Sequence, residues 1–138
     1  MSEYETVYLF SEYINRTWAV MQFWASVSFG LIALAHFASK HLNVFLTLLV
    51  SVLYAAFSVY VMVILRVSGV VADGFLAQLQ VMVDASDSVN LGTQAILASA
   101  PTAMQNAIIV SSFFGVFVGA LLYLWVSVVR THRKQHAT

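Results

Sequence analysis

The sequence predicts an all-α polytopic membrane protein with three transmembrane helices. An amphipathic N-terminal helix and a helical hairpin extend it on the N-terminal face. Two observations carry this reading. Apolar residues make up 61% of the 138 positions and charged residues 9%, whereas a soluble domain carries roughly 25% charged residues. The few charges also fall outside three apolar stretches, each long enough to cross a hydrocarbon core of ~30 Å at ~1.5 Å of rise per residue.

Residues 1–16 form the first element. Tyr4, Val7, Tyr8, Ser11 and Ile14 fall along one helical stripe, with Glu3, Glu5 and Glu12 largely off it. Such a helix lies in the membrane interface or runs straight into the first span. That span covers residues 17–38, with no formal charge between Arg16 and Lys40. It does not read as a cleavable signal peptide, because its apolar stretch is too long and its leader is acidic.

The second span, residues 42–65, is closed by Arg66. The connection over 67–105 is too long and too apolar for an idle loop. Val71, Phe75, Leu79 and Met82, with Leu76 and Val83 beside them, recur at helical spacing, so the second helix is expected to continue to about Val83. Asp84, Ser86, Asp87 and Ser88 supply turn formers and an N-cap for a returning helix, which carries Val89, Leu91, Ile96 and Leu97. Pro101 marks a kink or a fresh start into the third span. That span runs over 106–129, is closed by Arg130, and leads into a basic tail over 130–138. Trp18 and Trp125 lie near span ends, where aromatic belts form. With no internal repeat or low-complexity run, a single domain is expected.

Three spans put the termini on opposite faces. Lys40, Arg130, Arg133 and Lys134 share one face without an acid, while Arg16 and Arg66 share the other with Glu3, Glu5, Glu12, Asp73, Asp84 and Asp87. Cations near span ends stay in the cytoplasm. The expected placement is a bacterial inner membrane with the N-terminus outside, the C-terminus cytoplasmic and an acidic headpiece open to a protein partner.

Four constellations could carry function. Gly115 and Gly119 form a G-x-x-x-G continued by Ala120. Missing side chains let backbones approach closely in lipid. The motif serves either self-association or packing against the other spans of the same chain, through Gly30. A polar stripe is visible over Gln22 and Ser26 on the first span, with Ser28 less well aligned, and over Thr47, Ser51, Tyr54 and Ser58 on the second, where Thr47, Ser51 and Ser58 share one helix face. It supplies hydrogen bonds between helices or lines a wet pore in an oligomer. His36 is the one Asp, Glu, Lys, Arg or His inside a span. It would serve haem ligation between copies or a proton relay, or sit wet at headgroup level one turn from Lys40. His132 and His136, four apart, have a usable metal spacing, but Arg133 and Lys134 beside them oppose a cation and favour contact with anionic lipid.

Balanced charge, six acids against six bases, argues against nucleic acid, which demands a basic field. With no cysteine there is no disulfide, thiolate metal site or thiol nucleophile. No span holds a carboxylate, which disfavours proton-coupled export. Phosphate-binding, dinucleotide and metalloprotease motifs are missing as well. The expected protein is therefore a non-enzymatic membrane subunit without cofactor, assembling with copies of itself as a pore or scaffold. A second expectation is membrane permeabilisation. In size, span number, topology and basic tail the chain resembles three-span phage holins, and it departs from them in its long second connection. A third is a redox accessory subunit holding haem or quinone near His36.

Overall fold

The computed structural model describes residues 3–85 and 91–135. It consists of four helices: α1 (Glu3–Ala38), α2 (Val44–Asp84), α3 (Leu91–Ala98) and α4 (Ala103–Gln135), with no strand among the described residues. Three of them, α1, α2 and α4, are long and apolar enough to cross a membrane. The expected turn over residues 86–88 and the expected helical residue Val89 lie outside the described residues.

The N-terminal segment does not lie apart from the first span, since α1 is one unbroken helix of 36 residues. Its inward face coincides only in part with the stripe of Tyr4, Val7, Tyr8, Ser11 and Ile14. Thr6 is buried, and Phe10, Ile14 and Thr17 are partly buried, while Tyr4 and Tyr8 are exposed. A helix fused to a span inherits the span's inward face. Stepping back by three and four from Trp24, which is buried in the bundle, reaches Thr17, Ile14, Phe10 and Thr6 rather than the tyrosines.

Ser39, Lys40 and His41 make the reversal, with the His41 N–H donating to the Ala38 carbonyl. Asn43 then caps α2 from an extended conformation, its side chain accepting the Leu46 N–H at 2.7 Å. A side-chain oxygen there satisfies one of the donors that a helix start leaves without a partner. α2 continues without a break through 41 residues, ~60 Å at ~1.5 Å per residue, or twice the core of a bilayer. Leu79 in its outer half is fully buried and α3 packs back against this half.

Pro101 starts a new helix rather than kinking an old one. Ser99 and Ala100 close α3 with bonds to the carbonyls of Ala95, Ile96 and Leu97. Thr102 then forms a reciprocal cap. Its N–H donates to Gln105 Oε1 at 2.8 Å, and its hydroxyl oxygen accepts the Gln105 N–H at 3.3 Å. This is the capping box, which pairs two otherwise unpartnered donors.

α1 is the central helix. It packs along both α2 and α4, which touch each other little. The core lies where these contacts meet, around Leu31, Ala35, Leu42, Tyr54, Ala120, Leu124 and Val128, with a second cluster at Trp24, Val61 and Phe113.

Candidate functional site: an internal clamp and two outward stripes

The hydroxyl stripe divides between the inside of the bundle and its surface. Thr47 and Ser58 are 0% and 2% exposed, so both face the inside. Trp24 Nε1 donates to Ser58 Oγ at 3.0 Å while the indole stacks on Phe113 with centroids 4.0 Å apart. Ser28 gives its one hydrogen to the Trp24 carbonyl, so the Tyr54 hydroxyl donates to Ser28 Oγ at 2.8 Å. Ser51 gives its hydrogen to the Thr47 carbonyl and accepts from Trp125 Nε1 at 3.1 Å. Thr47 returns its own hydroxyl to the Asn43 carbonyl. In this conformation Ser51, Tyr54 and Ser58 clamp α2 to α1 and α4, while Thr47 is buried with its hydroxyl bonded to the start of its own helix. Gln22 and Ser26 face outward, Ser26 Oγ donating to the Gln22 carbonyl.

The glycines also face outward. A Cβ at Gly30, Gly115 or Gly119 would meet nothing within 4 Å. Neither glycine of the α4 motif packs inside its own chain. Ala120, one position on, points the other way and is buried beside Leu31, Ala35 and Leu124. The inward stripe of α4 is Phe113, Phe117, Ala120, Leu124 and Val128, and Gly115 lies on the opposite side of the helix.

The heights of these outward positions match. Contacts between the parallel helices α1 and α4 join Trp24 to Phe113, His36 to Tyr123 and Ser39 to Thr131, partners 87 to 92 positions apart. Gln22 and Ser111, Ser26 and Gly115, and Gly30 and Gly119 fall within the same offset. Two stripes of small or polar residues, each with a four-residue repeat, therefore lie at equal height on the outward faces of α1 and α4. Ser111 belongs to the second stripe and escaped sequence reasoning. Its spacing of four before Gly115 was the available signal.

His36 Nδ1 lies 3.0 Å from the Tyr123 hydroxyl, so the ring is held against α4. His132 Nε2 donates to the Leu42 carbonyl at 3.0 Å, tying the start of the basic tail to the Ser39–Asn43 reversal. His136 lies outside the described residues. Among the described residues no three His, Asp or Glu side chains gather as a metal site. Arg16 pairs with Glu12 on the exposed face of α1, one turn apart.

A cavity of about 390 Å³ opens on the N-terminal side of the bundle, lined by α1, α2, α4 and Pro101. Its walls include Phe10, Trp18 and Met21 of α1, Leu65, Ser68 and Asp73 of α2, and Asn106 of α4. The chain matches no protein-family model, no curated protein and no solved structure.

Proposed function

We propose that this chain is a non-enzymatic integral membrane subunit that assembles with copies of itself into a scaffold, N-terminus outside and C-terminus in the cytoplasm. Support for the membrane setting comes from the outer surfaces of the long helices. Phe37 is 80% exposed, and Phe23, Phe29, Phe45 and Tyr60 stand outward with many aliphatic residues. A soluble monomer rarely exposes contiguous apolar area on that scale.

The observation that carries self-assembly is the equal-depth pair of outward stripes, Gln22-Ser26-Gly30 and Ser111-Gly115-Gly119. Copies in one membrane share an orientation and a depth. The α1 stripe of one copy can therefore meet the α4 stripe of the next without a vertical shift. Such a contact is head-to-tail and generates a ring when its rotation closes. Small residues permit the close backbone approach from which packing attraction in lipid arises, and Gln22 gains a partner it lacks in hydrocarbon. A scaffold is favoured over a pore because Thr47, Ser51 and Ser58 are occupied within the protomer, and the polar headpiece remains free for a protein partner. The extension of α2 by ~18 residues past Arg66 separates this architecture from a short-looped holin plan.

The absence of cysteine makes the test clean. The doubly substituted chain Ser26→Cys, Gly115→Cys is expected to give an oxidation ladder in native membranes. A mixture of the two single variants should stop at the dimer. A chain that stays monomeric in both cases, with no co-purifying protein, defeats the reading.

A further inference from the structure

We propose that the cavity between α1, α2 and α4 is a binding site for one ammonium-headed phospholipid. The proposal rests on the membrane placement above but not on self-assembly.

The depth of the site is the first argument. The reversal at Ser39–Asn43 packs beside Thr131 and His132 and marks one edge of the bundle. Counting back ~20 residues, the length that crosses a ~30 Å core, leads to the neighbourhood of Trp18 on α1 and Leu65 on α2. Both line the cavity. The wall runs from Met21 to Phe10 on α1 and from Leu65 to Leu76 on α2, ~16 Å along each helix at ~1.5 Å per residue. The site is therefore elongated across the boundary between hydrocarbon and headgroups. Its volume of about 390 Å³ lies in the range of pocket volumes for small ligands.

Its chemistry is graded along the same axis. Met21, Leu65 and Ile109 line the deep end, and Asp73 and Leu76 the outer end. Asp73 is the lone charged residue on the lining and has no ion pair among the described residues. An acid without a counter-ion at headgroup depth fits a lipid ammonium and repels an anionic head. Ser68 supplies an independent observation. It is only 7% exposed, lines the cavity, and has no hydrogen-bond partner for its hydroxyl among the described residues. No sealed side-chain nitrogen or oxygen lacks a partner among the described residues, so the Ser68 hydroxyl is open to the cavity and available to a ligand there. Ser68 sits five positions deeper than Asp73, ~7.5 Å along the helix. That is the level at which the ester carbonyls of a phospholipid follow its head. Trp18 and Asn106 also line the cavity, near the level of Leu65 and so deeper than Ser68.

Gly69 provides the means to fill the site, because it lies on the wall and a Cβ there meets nothing within 4 Å. The test uses the full chain in mild detergent with equimolar phosphatidylethanolamine and phosphatidylglycerol, read by native mass spectrometry. One phosphatidylethanolamine per chain is expected, retained at least tenfold over phosphatidylglycerol. Asp73→Asn should abolish the preference while keeping a bound lipid, and Gly69→Phe should lower retention at least tenfold with helical content unchanged by circular dichroism. Ala72→Phe repeats the filling from the next turn, in case Gly69→Phe fails to fold. Equal retention of the two lipids, a bound peptide in place of lipid, or undiminished binding in both filled variants overturns the proposal. Monomers that retain phosphatidylethanolamine refute self-assembly alone, whereas release of the chain from membranes by alkaline carbonate refutes the membrane placement itself.

Discussion

Trp24 and Ser58 join α1 to α2 by a 3.0 Å hydrogen bond at the same point where the Trp24 ring stacks on Phe113 of α4. One side chain thereby fixes the rotation of all three long helices about their axes. Tyr54 reinforces it one turn away, bonded to Ser28 and stacked on Phe117 with centroids 5.5 Å apart. In lipid, where a helix gains little from burying one apolar face rather than another, directional bonds of this kind set which face turns inward.

Trp24→Phe keeps an aromatic ring against Phe113 and removes the indole donor. It should lower stability in mixed micelles by about 1–3 kcal/mol, combining lost packing with the lost bond. Ser58→Ala should cost less. The coupling between the two substitutions should come to about 0.6 kcal/mol, the average for hydrogen bonds between membrane helices. A double-mutant cycle by denaturant titration measures it, and additivity within error would remove the bond from the account.

The three long helices, the extension of α2 and the break at Pro101 were legible in the sequence because each has a one-dimensional signal. Arg16, Arg66 and Arg130 bracket apolar runs of fixed length, and Leu79 continues a helical period past the second run. Facing direction was much less legible. Tyr4 and Tyr8 share a helical stripe with Ile14 in the sequence, yet both are exposed, and the buried side of this segment runs through Thr6. Ser58 and Ser26 also looked alike, although one is bonded inside the bundle and the other faces outward. The cavity had no signal at all, since its lining comes from three helices whose relative placement no local pattern encodes. Two caps were readable and missed: Asn43 directly before an apolar run, and Thr102 three residues ahead of Gln105.

Gly119→Ala is expected to separate helix propensity from assembly. Position 119 lies in a helix interior with open space beyond it, so alanine should stabilise the isolated chain by about 0.5–1 kcal/mol. Gly119→Leu should leave the chain folded yet shift it to smaller particles. Thermal unfolding and light scattering on the same samples check both halves. Loss of folding in Gly119→Leu would mean that the position packs inside the chain after all.

Thr102→Ala removes one half of the capping box at the start of α4. The expected cost is about 1 kcal/mol, confined to the first turn because the bonds of Thr102 and Gln105 are local. Amide exchange at residues 103–106 should accelerate, while exchange around Leu124 stays unchanged. Uniform acceleration along α4 would show that the cap holds the whole helix in place.

The proposed orientation rests on the placement of cations and is tested by moving them. Lys40, Arg130, Arg133 and Lys134 outnumber Arg16 and Arg66, and an excess near span ends is retained in the cytoplasm. His41 and Gln78 are both exposed, on opposite faces of the bundle. In intact cells a membrane-impermeant maleimide should label Gln78→Cys, whereas His41→Cys should need permeabilisation. Adding Gln78→Lys and Gln80→Lys raises the cations on the N-terminal face to the number on the other. Both positions lie within the 15–20 residues of a span end over which such charges count. Labelling should then become mixed, with a fraction of chains exposing position 41 instead. Labelling that remains one-sided after this change would show that something other than cation balance orients the chain.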